Sequence, residues 1–239
     1  MPVIEKLTTG ISISGIQKMT TIDFPDHIAA VFFTAGCPWN CRYCHNSALR
    51  SGGGTSAVDP DSLHDFLDRR RGYLDGIVIS GGEPTLHDSL PELLTYIREF
   101  GYKTAIHTNG FYPNMLKKII DDGLVDYIAM DIKGPPRAYD RITQCSDTCF
   151  PVSKSIQMTV ASGIDYEFRT TYHHSLLTEN ELLDTMRAIS YAGCSTYYIQ
   201  KFHSDGVEDS ELVKDCEICS IPESAVMLGQ DLFEKFEVR

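Results

Sequence analysis

Three cysteines, Cys37, Cys41 and Cys44, lie at x3 and x2 spacing in the run Cys37-Pro-Trp-Asn-Cys41-Arg-Tyr-Cys44-His45-Asn46. Thiols this close can converge on one centre, and soft sulfur suits zinc or iron–sulfur. Three ligands are an unfinished set. Structural zinc would be completed by His45 or a distant cysteine; a cubane held by three thiolates leaves one iron free to bind a small molecule. The chemistry is therefore either a stapled loop or a metal centre open to a ligand.

Further motifs follow at intervals: Gly81-Gly82-Glu83-Pro84, His107-Thr108-Asn109-Gly110 and Asp131-Ile132-Lys133. Two adjacent glycines let main chain approach a ligand closely, and its carbonyls accept from an ammonium. Alone, such a pair more often just turns the chain. Lys133 closes an apolar run and Arg169 offers a bidentate fork, so either can pair with a ligand carboxylate. The plain alternatives are a solvated strand end for Lys133 and a structural ion pair for Arg169.

The elements that must position these residues are legible as short runs rich in Val, Ile, Phe and Tyr, alternating with amphipathic segments. Strands are expected at Ile28–Thr34, Gly76–Ser80, Tyr102–His107, Tyr127–Asp131, Tyr166–Thr171 and Thr196–Phe202. Between them, Asp59-Pro60 opens a helix running to about Arg71, because Asp accepts first-turn amides and Pro fits the first helical position. Helices near Ser89–Phe100, Pro113–Asp122, Val152–Ser162 and Thr178–Ala192 end before Gly101, Gly123, Gly163 and Gly193, where a left-handed residue is easiest for glycine. Six βα units are too few for an eight-unit barrel. The expected fold is α/β, a partial (β/α)6 barrel of parallel strands with motifs at the C-terminal strand ends. We expect one domain over residues 1–239: a short β-rich N-terminal extension (1–27), the barrel core (28–203) and an irregular C-terminal extension (204–239). Ser51-Gly52-Gly53-Gly54 reads as a flexible loop.

Composition removes whole classes of function. With 42% apolar and 23% charged residues the chain is neither disordered nor fibrous. Its net charge of −12, from 33 acidic and 21 basic residues, opposes generic binding to nucleic acid or anionic lipid. The longest strongly apolar stretch, Ile28 to Phe33, is far below the roughly 20 residues that span a bilayer. The start, Met-Pro-Val-Ile-Glu-Lys, lacks the order of a secretory signal, so a cytoplasmic protein with reduced thiols is expected.

The cysteine motif, with an aromatic before its last Cys, resembles the signature of radical S-adenosylmethionine (SAM) enzymes, and the later motifs agree in order. The resemblance runs from Ile11 to His203. The His45-Asn46 continuation and the segment Asp126–Lys133 are similar to activating enzymes of glycyl-radical proteins, above all those of anaerobic ribonucleoside-triphosphate reductase. Ser14–Lys18 and Thr21–Pro25 resemble the same branch. The resemblance implies a [4Fe-4S] cluster on Cys37, Cys41 and Cys44 and SAM on its unique iron. Gly81, Gly82 and Glu83 would lie along the methionyl part, Lys133 and Arg169 near the carboxylate, and Tyr43 and His203 near the adenosine, with His45 among the cofactor-binding residues. Thr108, Asn109 and Asp131 would line the same pocket. In formate-lyase activating relatives an acidic residue precedes Thr-Asn-Gly and binds a monovalent cation; His107 stands there in this chain, a poor ligand for such an ion, although Asp131 is retained.

The implied reaction is reduction of the cluster by a one-electron donor such as flavodoxin or ferredoxin, then cleavage of SAM to methionine and a 5′-deoxyadenosyl radical. That radical takes hydrogen from a glycine Cα of a partner, here a glycyl-radical enzyme such as anaerobic ribonucleotide reductase. It needs no side-chain acid or base, so no catalytic residue is nominated beyond cluster and SAM. The alternatives are a radical SAM enzyme acting on a small molecule, such as a 7-carboxy-7-deazaguanine synthase, and a zinc-stabilised binding protein without catalysis. Cys145, Cys149, Cys194, Cys216 and Cys219 form no second complete ligand set by spacing, though Cys216-x2-Cys219 is suggestive. Asp205, Glu208, Asp209, Glu211 and Asp215 read as a solvated acidic face.

Overall fold

The structure, a computed structural model, describes residues 10–50, 57–216 and 219–239. The N-terminal hexapeptide and the Ser51–Gly54 loop lie outside the described residues. The chain divides into two compact units with interleaved boundaries.

The first unit takes the described residues of Met1–Pro38, Ala48–Thr108 and Tyr112–Ile128. It contains β1 (Ile13–Thr20), β2 (Ala29–Thr34), β3 (Gly76–Gly81) and β4 (Lys103–Thr108). β1 pairs antiparallel with β2, while β2, β3 and β4 pair parallel in sequence order. Of the helices, α1 (Ser47–Arg50) leads into this unit, and α2 (Pro60–Arg69), α3 (Leu90–Glu99) and α4 (Pro113–Asp121) are the crossovers. Strands buried on both faces need continuous apolar runs; Val31, Phe32, Ile77, Val78, Ile79, Ala105 and Ile106 supply them. Asp59 caps α2 by accepting from Ser62 N at 2.9 Å, with Pro60 at the first helical position, as the Asp-Pro pair implied.

β5 (Tyr127–Asp131) leads from the first unit into the second, which takes Trp39–Ser47, Asn109–Phe111 and Ala129–Arg239. The second unit holds β6 (Asp165–Tyr172), β7 (Thr196–Lys201) and β8 (Lys235–Val238), with parallel pairing of β6 with β7 and β7 with β8. Its helices are α5 (Pro136–Thr143), α6 (Cys149–Ala161), α7 (Glu179–Tyr191), the short α8 (Ser210–Lys214) and α9 (Glu223–Leu232). Thr178 and Glu181 close a reciprocal capping box at the start of α7. The six expected strands are present with ends shifted by at most a residue or two, and the glycines expected after four helices all have positive φ.

The C-terminal segment is more ordered than expected: α9 and β8 occupy it, and Phe233 and Phe236 stack on Tyr197 at 4.9 and 6.4 Å. Four residues alternating charge and apolar, Lys-Phe-Glu-Val, carry little strand signal alone; the aromatic surface of β7 gives them a place to pair.

Candidate functional site

In the first unit the Gly81-Gly82-Glu83 turn lies against the exit of β2. Gly82 N donates to the Thr34 carbonyl at 2.9 Å and Glu83 N to the Gly36 carbonyl at 2.8 Å, while Cys37 N is held by the Arg50 carbonyl at 3.2 Å. A Cβ on Gly82 would overlap the Gly36 carbonyl, and one on Gly81, whose φ is +115°, would meet the Thr34 backbone. The glycines thus let two chain segments touch, an approach expected from sequence for a ligand alone. Glu83 is buried: Oε1 accepts from Thr85 N at 3.0 Å, from Thr108 Oγ1 at 2.6 Å and from Thr85 Oγ1, capping the 3-10 turn Pro84–Leu86. Gly81, Gly82, Glu83 and Thr108 therefore form one hydrogen-bonded group. His107 is engaged elsewhere, its ring Nε2 lying 2.9 Å from the Asp23 carbonyl.

In the second unit the rest of the cysteine loop is packed by aromatics. Trp39 meets Phe111 and Tyr139 edge-on at 5.7 and 6.0 Å, and Asn40 N donates to the Thr143 carbonyl at 2.8 Å. Cys44 N donates to the Cys41 carbonyl at 3.1 Å, a turn that brings both thiols to one end of the loop. Behind them stands Lys133, 9% exposed, its Nζ 5.2 Å from the Tyr43 ring centroid and 3.3 Å from Asp131 Oδ2. Arg169 Nε donates to the other Asp131 oxygen at 2.9 Å. One carboxylate thus aligns two cations, leaving that trio with a net positive charge.

Electrostatics follow from this burial. Burial pushes the Cys41 thiol up to about 11, against the pull of Lys133 and with the negative groups of Cys44 and Asp131 adding to it. Burial likewise opposes the Lys133 charge, but Asp131, Tyr43 and Cys41 outweigh it and hold the ammonium well above its usual pKa. Trp39 Nε1, in the cysteine loop, is buried without a hydrogen-bond partner. Soft thiols, a buried cation and an orphaned polar atom fit an iron–sulfur centre that carries a zwitterionic ligand.

The far side of the loop is held by the segment after β7. The His45 and His203 rings stack 3.8 Å apart at 9°, and His45 Nε2 lies 2.9 Å from the His203 carbonyl. Burial, then the neighbouring His203, lowers the His45 pKa. Arg42 donates to Asp209 at 2.6 Å and to Glu211 at 3.0 Å. Asp209 is thus no free member of a solvated acidic face: it also caps α8, accepting from Glu211 N and Leu212 N. Sequence reasoning missed this pair, whose one signal was a lone arginine between cysteines and a distant acidic run. Asn109 Oδ1 accepts from Phe111 N at 2.9 Å, shaping its own turn.

Residues 31–195 match the radical SAM superfamily. A protein of Methanocaldococcus jannaschii named as a putative glycyl-radical enzyme activating enzyme is 32% identical over 209 residues, 84% of each chain. A 7-carboxy-7-deazaguanine synthase of Halobacterium salinarum is 33% identical over 32% of this chain and 30% of its own. The crystal structure of QueE from Escherichia coli shares the fold, with a TM-score of 0.55 at 14% identity over 100% of this chain and 98% of that one. Among the described residues no helix is long and apolar enough to cross a membrane.

Proposed function

The chain belongs to the radical SAM superfamily and is an enzyme, and from that premise we propose that it is a cytoplasmic activase that installs a glycyl radical on a partner enzyme, anaerobic ribonucleotide reductase. The observation that carries the activase reading is the relative named as a putative glycyl-radical enzyme activating enzyme, 32% identical over 84% of both chains; the choice of reductase rests on the sequence resemblance of His45-Asn46 and Asp126–Lys133. Cys37, Cys41 and Cys44 would hold a [4Fe-4S] cluster. Lys133 and Arg169 would face the SAM carboxylate, the carbonyls of Gly81 and Gly82 its ammonium, and Tyr43 and His203 its adenosine, with His45, Thr108, Asn109 and Asp131 around them. Bound there, such a cluster would supply one-electron reductive cleavage of SAM, with a flavodoxin or ferredoxin as donor, and through it hydrogen abstraction from a glycine Cα of the partner. The chain's own part is to orient and to exclude water. Asp131 fixes both cations, Tyr43 and Trp39 keep the loop dry, and Glu83 buttresses the turn that presents its carbonyls. No residue moves a proton.

The test is anaerobic: reconstituted, reduced protein is mixed with SAM and anaerobic ribonucleotide reductase and examined by electron paramagnetic resonance. A glycyl doublet with stoichiometric 5′-deoxyadenosine is expected, both absent in Cys41→Ala. Cleavage of SAM without a radical on that or any other glycyl-radical enzyme would overturn the partner assignment. It would favour the small-molecule reading, which the shorter Halobacterium match supports.

A further inference from the structure

Away from the cysteine loop, His173, His174 and Cys219 each present a ligand atom, and these atoms lie within 4.8 Å of one another. In a tetrahedral zinc site, bonds of about 2.0–2.3 Å set ligand atoms roughly 3.3–3.8 Å apart. The three are therefore within about an ångström of coordinating distance. A span this small suits one ion rather than a two-iron cluster.

Each residue is held for that role. His173, at the end of β6, is 1% exposed; its Nδ1 accepts from Ser175 N at 3.2 Å, and its Nε2 then donates to the Leu212 carbonyl at 3.2 Å. A ligating imidazole needs its second nitrogen on such a carbonyl, because that bond sets ring and tautomer. An ion at Nδ1 would replace the Ser175 contact. His174 stacks on His173 at 4.9 Å and 16°. The Cys219 thiol sits 3.6 Å from the Tyr172 carbonyl, and Cys219 N donates to the Cys216 carbonyl at 3.2 Å. Two cysteines at this x2 spacing are a common pair of ligands for one ion. Cys216 now points at the Phe202 carbonyl, 3.9 Å away, and Phe202 packs edge-on to His173 at 4.7 Å. Cys216 is assigned as the fourth ligand from its x2 spacing to Cys219.

We propose that His173, His174, Cys216 and Cys219 bind one zinc ion. Two imidazoles and two thiolates without a carboxylate select a borderline-soft ion over calcium or magnesium. The ion would tie the end of β6 to the segment following α8. The same stretch of chain grips the cysteine loop through Arg42–Asp209, through His45–His203 and through Ser47, whose hydroxyl donates to the Gly206 carbonyl at 3.2 Å. Zinc at this point is a staple that holds the clamp. The proposal does not rest on the activase reading.

The test uses the full chain with Cys37, Cys41 and Cys44 all changed to alanine, so that no iron–sulfur cluster competes. This protein should retain one zinc through gel filtration, and one cobalt(II) in its place should show thiolate charge transfer and the intense visible bands of a tetrahedral ion. His174→Ala, at an exposed position, and Cys219→Ser should each weaken cobalt binding at least tenfold with unchanged circular dichroism; Cys145→Ser should not. Zinc-edge X-ray absorption of the unsubstituted holoprotein gives a second reading, with mixed sulfur and nitrogen ligation expected. The absence of a tight equivalent, its survival in His174→Ala and Cys219→Ser, or a shell of oxygen and nitrogen alone would overturn the site.

Discussion

Arg42, between the second and third cysteines of the loop, donates through Nε to Asp209 at 2.6 Å, joining residues 167 positions apart. Both side chains are partly exposed, at 36% and 20%, so the pair contributes only about 0.5–1 kcal/mol to stability. Its weight lies in placing the loop. Arg42→Ala should lower Tm by no more than roughly 4 °C while slowing cluster reconstitution and speeding iron loss to a chelator. Iron retention equal to the parent's would assign the pair to the surface.

Lys133 has a different balance. Lys133→Met removes the cation from beside Asp131 and Tyr43 but leaves Arg169 to neutralise the carboxylate. Iron and sulfide per chain should stay near the parent values while the dissociation constant for SAM rises at least tenfold, read by calorimetry on the reconstituted protein. If iron content collapses and the affinity of intact clusters is unaltered, Lys133 has been misassigned.

Gly82→Ala drives a methyl into the Gly36 carbonyl, and backbone on both sides leaves nothing flexible to yield. A loss of about 2–4 kcal/mol is expected, lowering Tm by roughly 5–15 °C in a chain of this size. Gly15→Ala, with open space around its Cβ, is the control and should melt within a degree or two of the parent. Differential scanning calorimetry on both variants decides it.

Glu181 should show a pH-dependent share of stability. Burial raises its pKa, but the Thr178 amide and hydroxyl and the Arg141 guanidinium outweigh that and hold it below the usual 4.5. A carboxylate with a depressed folded pKa stabilises above its unfolded pKa, and the contribution fades as pH falls through the folded value. Glu181→Gln should therefore lower the urea midpoint at pH 7, by about 1 kcal/mol of stability, and by progressively less below pH 4.5. A gap that stays constant down to pH 3 would rule out charge as the cause.

Much of the molecule was legible because its signals are local. Asp59-Pro60 starts a helix, Thr178 and Glu181 close a capping box, and glycines end helices, all within a few residues of chain. The cysteine motif is equally local: eight positions suffice to suggest a metal centre. β8 escaped notice because a short charged strand has no signal until β7 offers it an edge.

What the amino-acid order determined by itself was the alternation of strands and helices, the three-thiol loop and the place of each motif at a strand end. Only the tertiary structure decided the partners that lie far along the chain. It set Asp209 on Arg42, Asp131 between two cations, and a histidine pair beside Cys219, for which spacing alone had shown no complete ligand set. The reason is physical: periodicity and caps act over one or two turns, whereas long-range pairing depends on which strand ends and loops the packing of the core brings together.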